Sequence, residues 1–265
     1  MRKQYGPWAL IAGASDGLGA EFARQLAHKG LNLILIARRV ELLTKFSKEL
    51  RSRHGIQVRP IVQDLAADDL LANIKKETGD IEIGMLVYNA AHSIIGAFLD
   101  QPLENHLATI NVNCRAPLLL IYELGLKMRA RGRGGIILMS SMSGLQGSAL
   151  VASYAASKAF NLILAESLWE ELRSSGVDVL ACCAGATRTP AYLATNPENP
   201  GILSAPLMDP AAVVKEALDS LGKAPSIVPG RANRVATFLM TRLMPRQLAI
   251  KTIAKTLKAM YPGHL

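Results

Sequence analysis

Short apolar runs alternate with helical patterns along almost the whole chain, and this alternation limits the folds that the sequence can adopt. A strand–helix–strand order gives parallel strands, because each helix carries the chain back across the sheet. Ligands of such sheets bind at the carboxyl ends of the strands. We therefore predict an α/β fold with a single doubly wound parallel sheet and helices on both faces. The predicted strands are Trp8–Gly13, Leu31–Ile36, Ile56–Val62, Ile83–Tyr88, Gly135–Ser140, Val177–Cys183 and Ser226–Pro229.

A glycine-rich turn follows the first predicted strand and precedes a helical pattern. It reads Gly13-Ala-Ser-Asp-Gly17-Leu-Gly19. Glycines here let the backbone approach a pyrophosphate, which the free N–H groups and partial positive charge of a helix N-terminus attract. A tight loop without a ligand is the alternative, but the strand–turn–helix context favours a dinucleotide site.

The residues after the second strand indicate which dinucleotide is bound. NAD sites usually place Asp or Glu here to bind the ribose 2′-hydroxyl, whereas this chain has Ala37, Arg38 and Arg39. A guanidinium binds a phosphate through forked, charge-assisted hydrogen bonds. This end of the strand therefore favours NADP, the alternative being that both arginines merely begin a solvated helix.

Two further strand ends are candidates for contact with a cofactor. Asp64 and Leu65 follow the third strand, and Asp64 either contacts an adenine amino group or caps the next helix. Both alternatives stay open from the sequence. Asn89 and Ala90 follow the fourth strand, where small residues let a cofactor pass close to the backbone.

Tyr154 and Lys158 stand four residues apart at the start of the predicted helix Tyr154–Leu172. Residues at this spacing lie on one helix face, so a phenol and an ammonium project into one space. A nearby cation favours the phenolate and lowers the pKa of a tyrosine, which suits a general acid. Ser141 ends the preceding strand and can hydrogen-bond a substrate carbonyl. The alternative is an ordinary surface Tyr and Lys.

Asn113 lies inside the predicted helix Pro102–Ala130, which Pro117 interrupts or bends. An asparagine in the middle of a helix is intrinsically unfavourable, which indicates either a specific role or a satisfied core position. A long segment follows the sixth strand and reaches Asp209. Long connections are uncommon and often functional. The other predicted helices are Leu42–Leu50, Asp68–Thr78 and Ala211–Leu221.

Charge and cysteine content narrow the classes of protein. The net charge of +9 arises after Asp219, where the chain has eight Lys and Arg and no acid, so we expect no nucleic acid at the nearly neutral body. No run of 18 apolar residues predicts a spanning helix, and the short apolar stretch after the N-terminus is not typical of a signal peptide. Three cysteines, two of them adjacent in a strand, predict free thiols and therefore a cytoplasmic location for the protein.

These motifs together resemble the short-chain dehydrogenase/reductase family over residues 6 to 230. The glycine turn, the Asn89-Ala90-Ala91 segment, Asn113, and Ser141 with Tyr154 and Lys158 agree with the family in order and spacing. Tyr88, Ala91 and Ala184 are departures from it. Within the family the chain is most similar to 17-beta-hydroxysteroid dehydrogenases and 3-ketoacyl reductases. The resemblance implies a Rossmann fold for residues 1–230.

The resemblance also implies roles for individual residues. Tyr154 would exchange the proton, Ser141 would orient the carbonyl, Lys158 would lower the Tyr154 pKa and bind the nicotinamide ribose, and Asn113 would hold a water in a proton relay. The implied activity is reduction of a ketone by NADPH, or the reverse. NADP would contact Gly13, Ser15, Gly17, Leu18, Gly19, Arg38, Asp64, Leu65, Asn89, Ala90, Tyr154, Lys158, Gly185, Thr187 and Thr189. A catalytically idle NADP sensor is the alternative function.

Apolar residues near these motifs predict an apolar substrate such as a 3-oxoacyl, steroid-like or aromatic ketone. They can also pack the loops onto the core instead. The predicted pocket residues are Ile94, Ile95, Phe98, Leu99, Leu145, Leu150, Val151, Tyr192, Leu193, Ile202, Leu203, Leu207 and Met208.

Residues 231–265 form a separate basic segment in the sequence. From Arg246 to Met260 the apolar residues Ile250, Ile253 and Leu257 fall on one helix face, and lysines fall on another. Such a helix either packs on the body or a second subunit, or binds an anionic membrane surface or an acidic carrier protein. The family commonly pairs the helices at Pro102–Ala130 and Tyr154–Leu172, which implies a homo-oligomer.

Overall fold

The computed structural model describes residues 1–79, 81–198 and 207–264. Its described strands form one parallel sheet in the order β3-β2-β1-β4-β5-β6-β7. The predicted α/β fold and all predicted strands are confirmed, with ends that shift by at most a few residues. The strands are β1 (Trp8–Ala12), β2 (Asn32–Ala37), β3 (Val58–Val62), β4 (Ile83–Tyr88), β5 (Gly134–Ser141), β6 (Val177–Ala184) and β7 (Ser226–Ile227).

Helices cover both faces of the sheet, so most strand residues are buried on both sides. In β1, Ala9 and Ile11 pack toward one helix layer while Leu10 packs toward the other. This double burial explains why the strands are continuous apolar runs. The helices are α1 (Arg2–Tyr5), α2 (Gly17–His28), α3 (Val40–His54), α4 (Leu70–Thr78), α5 (Leu103–Ile110), α6 (Ala116–Arg131), α7 (Ala152–Arg173), α8 (Pro190–Ala194), α9 (Pro210–Ser220), α10 (Arg231–Phe238) and α11 (Arg246–Met260).

The layers place the helices that later frame the site. Helices α2, α3 and α9 contribute buried residues to one core cluster, and α4, α6 and α7 contribute to the other. None of the helices in the described part of the chain is both long enough and apolar enough to cross a bilayer.

The predicted helix Pro102–Ala130 consists of α5 and α6 joined by a π-helical turn at Asn111–Arg115. The interruption was predicted at Pro117, and proline is its physical cause. Proline has no N–H, so it cannot donate to the carbonyl four residues earlier. The backbone widens before it, and the Ala116 N–H donates to the Asn111 carbonyl.

The segment after β6, predicted as one long loop, contains the short helix α8. Its N-cap is Thr189, whose hydroxyl accepts from the Tyr192 N–H at 3.2 Å. Thr187 pairs with Met208 in an isolated parallel bridge. The predicted pocket residues Ile202 and Leu203 lie outside the described residues.

The C-terminal segment packs on the body of the protein. Helix α11 has the predicted bounds, and its lysines are exposed. Ile253 and Leu257 are half-buried and face the turn after β5. Leu257 also packs beside a small cluster of Leu150, Met260 and Tyr261. The apolar face of α11 therefore packs on the body of the protein, which was one of the predicted alternatives.

Candidate active site

The glycine turn lies against the carboxyl end of β4. Asn89 Nδ2 donates to the Gly13 carbonyl at 2.9 Å. A Cβ at Gly19 would come within 2.0 Å of the Gly13 oxygen and 2.7 Å of Asn89 Nδ2, and one at Gly13 would come within 2.7 Å of the Ala90 backbone. No side chain fits at either position, so both glycines are needed for this close approach.

The remaining glycine of the turn, Gly17, lies against the segment that follows β6. Gly17 has a φ of +54°, and a Cβ there would stand 3.2 Å from the Thr189 side chain. On the same segment, Thr187 Oγ1 donates to the Gly185 carbonyl at 2.9 Å. The structure therefore brings Thr189 next to the glycine turn, as a shared cofactor site requires.

The two arginines after β2 are arranged differently. Arg39 donates to Ser15 Oγ at 2.8 Å and pairs with Asp16, so it binds the glycine turn itself. Arg38 is exposed and makes no hydrogen bond or ion pair within the described part of the chain. Its guanidinium is thus available to a phosphate. The sequence indicated both arginines but gave no sign that Arg39 is occupied within the protein.

Asp64 does not cap the helix that follows it. Its carboxylate accepts from the Ala66 N–H at 2.9 Å in a local turn, and Asp69 occupies the position before α4. Capping fails because five residues of turn and bend separate Asp64 from that helix. Asp64 is exposed and Leu65 is buried, which leaves the contact with adenine as the remaining interpretation.

Ser141, Tyr154 and Lys158 converge where β5 ends and α7 begins. The Ser141 hydroxyl is close enough to the Tyr154 phenol to lower its pKa, and Lys158 Nζ lies 5.5 Å from the centre of the Tyr154 ring. Two bonds attach Lys158 to β5: its Nζ donates to the Met139 carbonyl, and Ser140 Oγ donates to the Lys158 carbonyl, both at 2.7 Å. The alternative of an ordinary surface pair is wrong, because Lys158 is buried.

Burial changes the acid–base properties of this group. It raises the pKa of the Tyr154 phenol, and the neighbouring Ser141 hydroxyl offsets only part of this rise. Burial lowers the pKa of the Lys158 ammonium to about 8. The prediction of a depressed tyrosine pKa is therefore wrong for this structure, since loss of hydration disfavours the phenolate. Tyr154 is protonated at neutral pH.

Asn113 is connected to Tyr154 through Ser157. Asn113 Nδ2 donates to Ser157 Oγ at 2.9 Å, and Ser157 Oγ donates to the Tyr154 carbonyl at 2.7 Å. The His92 backbone fixes the other end: its N–H donates to Asn113 Oδ1 at 2.7 Å, and its carbonyl accepts from Nδ2 at 2.9 Å. Asn113 is fully buried with both ends of its amide bonded. The sequence contained no signal for His92 or Ser157.

Tyr88, a departure from the family pattern, supports the π-helical turn that carries Asn113. Its buried hydroxyl donates to the Val112 carbonyl. An α-helical partner for that carbonyl would be the Ala116 N–H, which donates to Asn111 instead, and a π-helical partner would be the nitrogen of Pro117. Neither is available, so the tyrosine satisfies an acceptor that the backbone leaves free.

A cleft of about 490 Å³, including its open mouth, lies between the turn after β5 and the C-terminal segment. Among the predicted pocket residues that the structure describes, only Leu145 lines it. Phe98 stacks on His106, Leu150 packs under Tyr261, and Leu99 is 90% exposed. Five residues of the C-terminal segment form the opposite wall, which the sequence did not indicate. They are Thr237, Met240, Ile253, Thr256 and Leu257.

Comparison with known proteins agrees with this geometry. A family model described as short chain dehydrogenase matches residues 7–200. The 7beta-hydroxysteroid dehydrogenase of Mediterraneibacter gnavus is 32% identical over 238 residues, which cover 89% of this chain and 90% of that protein.

Two solved structures extend the similarity to three dimensions. A 7beta-hydroxysteroid dehydrogenase structure has a TM-score of 0.89 at 30% identity and covers 95% of this chain and 98% of its own. A short-chain dehydrogenase from Sphingobium yanoikuyae in complex with NADPH has a TM-score of 0.76 at 30% identity, with coverages of 84% and 87%. The chain described here belongs to the short-chain dehydrogenase family.

Proposed function

We propose that the protein is an NADP-dependent oxidoreductase that reduces the ketone of an apolar substrate, or oxidises the corresponding secondary alcohol. The convergence of Ser141, Tyr154 and Lys158 at the same edge of the sheet as the glycine turn carries the proposal. A phenol, a hydroxyl and a buried cation at the carboxyl end of the sheet can bind and protonate a carbonyl oxygen.

The glycine turn has the form that a dinucleotide requires. Gly13 and Gly19 let the turn pack closely on itself and on Ala90, and the N-terminus of α2 that follows offers free N–H groups to a pyrophosphate. The absence of an acid after β2 and the free guanidinium of Arg38 favour the 2′-phosphate of NADP. NADPH supplies the hydride when bound. The similarity to a short-chain dehydrogenase whose structure was solved in complex with NADPH supports this cofactor.

In this proposal the protein's own residues move the proton. Ser141 and Tyr154 hydrogen-bond the carbonyl oxygen, and Tyr154 transfers its phenolic proton to that oxygen as the carbonyl carbon accepts hydride. The Lys158 ammonium stabilises the phenolate that forms. Asn113, through Ser157, holds the start of α7 and orients the path by which Tyr154 regains a proton. In the direction of oxidation the proton moves the opposite way.

The substrate class rests on the cleft and on the relatives. Leu145, Met240, Ile253 and Leu257 give the cleft an apolar lining beside the turn that follows Ser141. The 7beta-hydroxysteroid dehydrogenases, which align over nine-tenths of their length, carry a steroid substrate in their name. We therefore favour a steroid-like ketone or alcohol, with 3-oxoacyl and aromatic ketones as the other apolar classes.

A panel of ketones with NADPH tests the substrate. We expect turnover of steroid-like or other apolar ketones. Activity confined to sugars or polyols would contradict the apolar assignment.

Tyr154→Phe tests the catalytic role and separates an enzyme from a protein that only binds NADP. Turnover should collapse while NADPH still binds in a fluorescence titration. Retained turnover would refute the role of Tyr154 as general acid.

Self-association is part of the proposal. Exposed apolar side chains are grouped on α5, α6 and α7, the helices whose pairing the family resemblance implied, and they fit a subunit interface. They are Leu103, Leu107, Ile110, Leu118, Tyr122, Leu126, Phe160 and Ile163. Sedimentation velocity would detect the oligomer. Cys114, Cys182 and Cys183 are free thiols in the structure, which is compatible with the predicted cytoplasmic location.

A further inference from the structure

The outer side of the C-terminal segment carries a second apolar surface. Its side chains lie on α10, on the π-helical turn Leu239–Leu243 and at the start of α11, and Leu243 is 66% exposed. Those from Val235 to Leu243 recur at spacings typical of one side of a helix, and Leu248 follows at the start of α11, after the break at Met244 and Pro245. We call this surface the C-terminal apolar face: Val235, Phe238, Leu239, Leu243 and Leu248.

This face differs from the one that the sequence predicted. The apolar residues Ile253 and Leu257 of α11 face the cleft, so they are used inside the protein. The C-terminal apolar face lies on the opposite side of the segment and has no comparable cover within the described residues. Exposed apolar patches of this kind usually mark a surface of interaction.

Unpaired cations accompany the C-terminal apolar face; in the described part of the chain Glu216 contacts α10 but is already paired with Arg234. Arg231, Arg242 and Arg246 are exposed and interleave with its apolar residues, and none of them forms a salt bridge in the described part of the chain. The sequence has no Asp or Glu after residue 219. A partner of the C-terminal apolar face must therefore offer both an apolar phase and negative charge.

A second copy of the chain does not meet this requirement. Symmetric pairing through this face would bring the unpaired arginines of both copies together, and the acid that contacts α10, Glu216, is already paired with Arg234. An acidic peptide would neutralise the arginines but would leave Phe238 and Leu243 without an apolar partner. A bilayer with anionic headgroups provides both, because apolar side chains insert below the headgroups while arginines bind the phosphates.

We propose that the C-terminal apolar face docks on the surface of an anionic phospholipid bilayer. The same segment contributes Met240 and Leu257 to the wall of the cleft, so docking would bring the cleft to the membrane. That consequence rests on the proposed apolar substrate, whereas the docking itself does not. Binding and turnover can therefore fail independently.

Vesicle sedimentation of the full-length protein tests the docking. At low salt we expect binding to phosphatidylglycerol vesicles and little binding to pure phosphatidylcholine. Phe238→Ser combined with Leu243→Ser should weaken binding more than about tenfold, because two inserted apolar side chains are lost while the net charge stays the same. Leu42→Ser, at an exposed leucine on α3, is the control and should bind like wild type.

The electrostatic part has its own matched pair. Arg242→Gln should weaken binding about fivefold, the equivalent of one surface cation. Arg129→Gln, at an exposed arginine of α6, should change it little.

Three results would overturn the proposal. One is absence of binding to anionic vesicles at low salt. Another is binding that Phe238→Ser with Leu243→Ser leaves unchanged, which would mean adsorption by charge alone, as to any acidic polymer. The third is dissociation of an oligomer by that double substitution in sedimentation velocity, which would make the face a subunit interface. Turnover of a water-soluble ketone by the same variants, unchanged from wild type, would show that they fold.

Discussion

Tyr88→Phe removes a single hydroxyl from the centre of the protein, and we expect it to reduce both stability and turnover. The hydroxyl donates to the Val112 carbonyl in the π-helical turn. Burial raises the pKa of this phenol, so it stays a donor throughout the working pH range. The phenylalanine variant keeps the ring but leaves a buried carbonyl without any donor, because Ala116 donates elsewhere and residue 117 is proline.

The loss of stability can be compared with a second buried tyrosine. An unsatisfied buried acceptor costs about 1–3 kcal/mol. Tyr5 is also buried, and its hydroxyl donates to Asp178 Oδ2 at 2.7 Å. Asp178 is half-exposed, so water can replace that donor, and Tyr5→Phe should cost only about 0.5–1.5 kcal/mol. Urea unfolding followed by circular dichroism measures both losses, and the urea dependence of the unfolding free energy should not change.

Measuring kcat separates an effect on the position of Asn113 from an effect on stability alone. The turn supported by Tyr88 carries Asn113, so Tyr88→Phe should lower kcat about tenfold, within the range expected when a catalytic group is displaced. Tyr5→Phe should keep kcat. In an Asn113→Ala background, Tyr88→Phe should have little further effect, because both substitutions act on the same network. An unchanged kcat in Tyr88→Phe would refute the reasoning. So would losses of kcat that simply add when Tyr88→Phe is combined with Asn113→Ala.

Three further outcomes test the site. The rate of reduction should fall as the pH rises through about 8, because Lys158 loses its charge there while Tyr154 stays protonated; a flat pH–rate profile between about 7 and 9 would contradict this. Arg38→Asp should weaken NADPH far more than NADH in a fluorescence titration, and equal losses would exclude contact with the 2′-phosphate. Leu257→Trp should raise KM for bulky apolar ketones by filling the cleft, whereas Leu248→Trp on the exposed side of α11 should leave KM unchanged.

Features that depend on short-range spacing were predicted well. The pair Tyr154 and Lys158 shares a helix face because four residues make about one turn. The bounds of α11, Arg246 to Met260, follow from apolar spacing and from the proline before it. The glycine turn was predicted because its strand and helix are adjacent in the chain. Each of these patterns is complete within some twenty residues, so tertiary contacts had little chance to override it.

Features that depend on burial were not predictable in the same way. The sequence shows that a cation accompanies Tyr154, which alone would lower the phenol pKa. It does not show that Lys158 is buried against β5. There, loss of hydration raises the pKa of Tyr154 and lowers the pKa of Lys158. Ser157 and His92 reach Asn113 only because α7 and the end of β4 meet around the π-helical turn. These distances are set by packing between distant segments.

The C-terminal segment shows why periodicity alone could not assign the pocket. An amphipathic pattern indicates that one face of a helix is covered, but it does not identify the covering surface. Here the face with Ile253 and Leu257 covers the turn after β5 and forms a wall of the cleft. Leu243 and Leu248, on the other side, remain exposed among arginines. A segment with two apolar faces can be fully buried only when the body covers one face and a partner covers the other. Its sequence therefore combines the requirements of the cleft with those of an external surface.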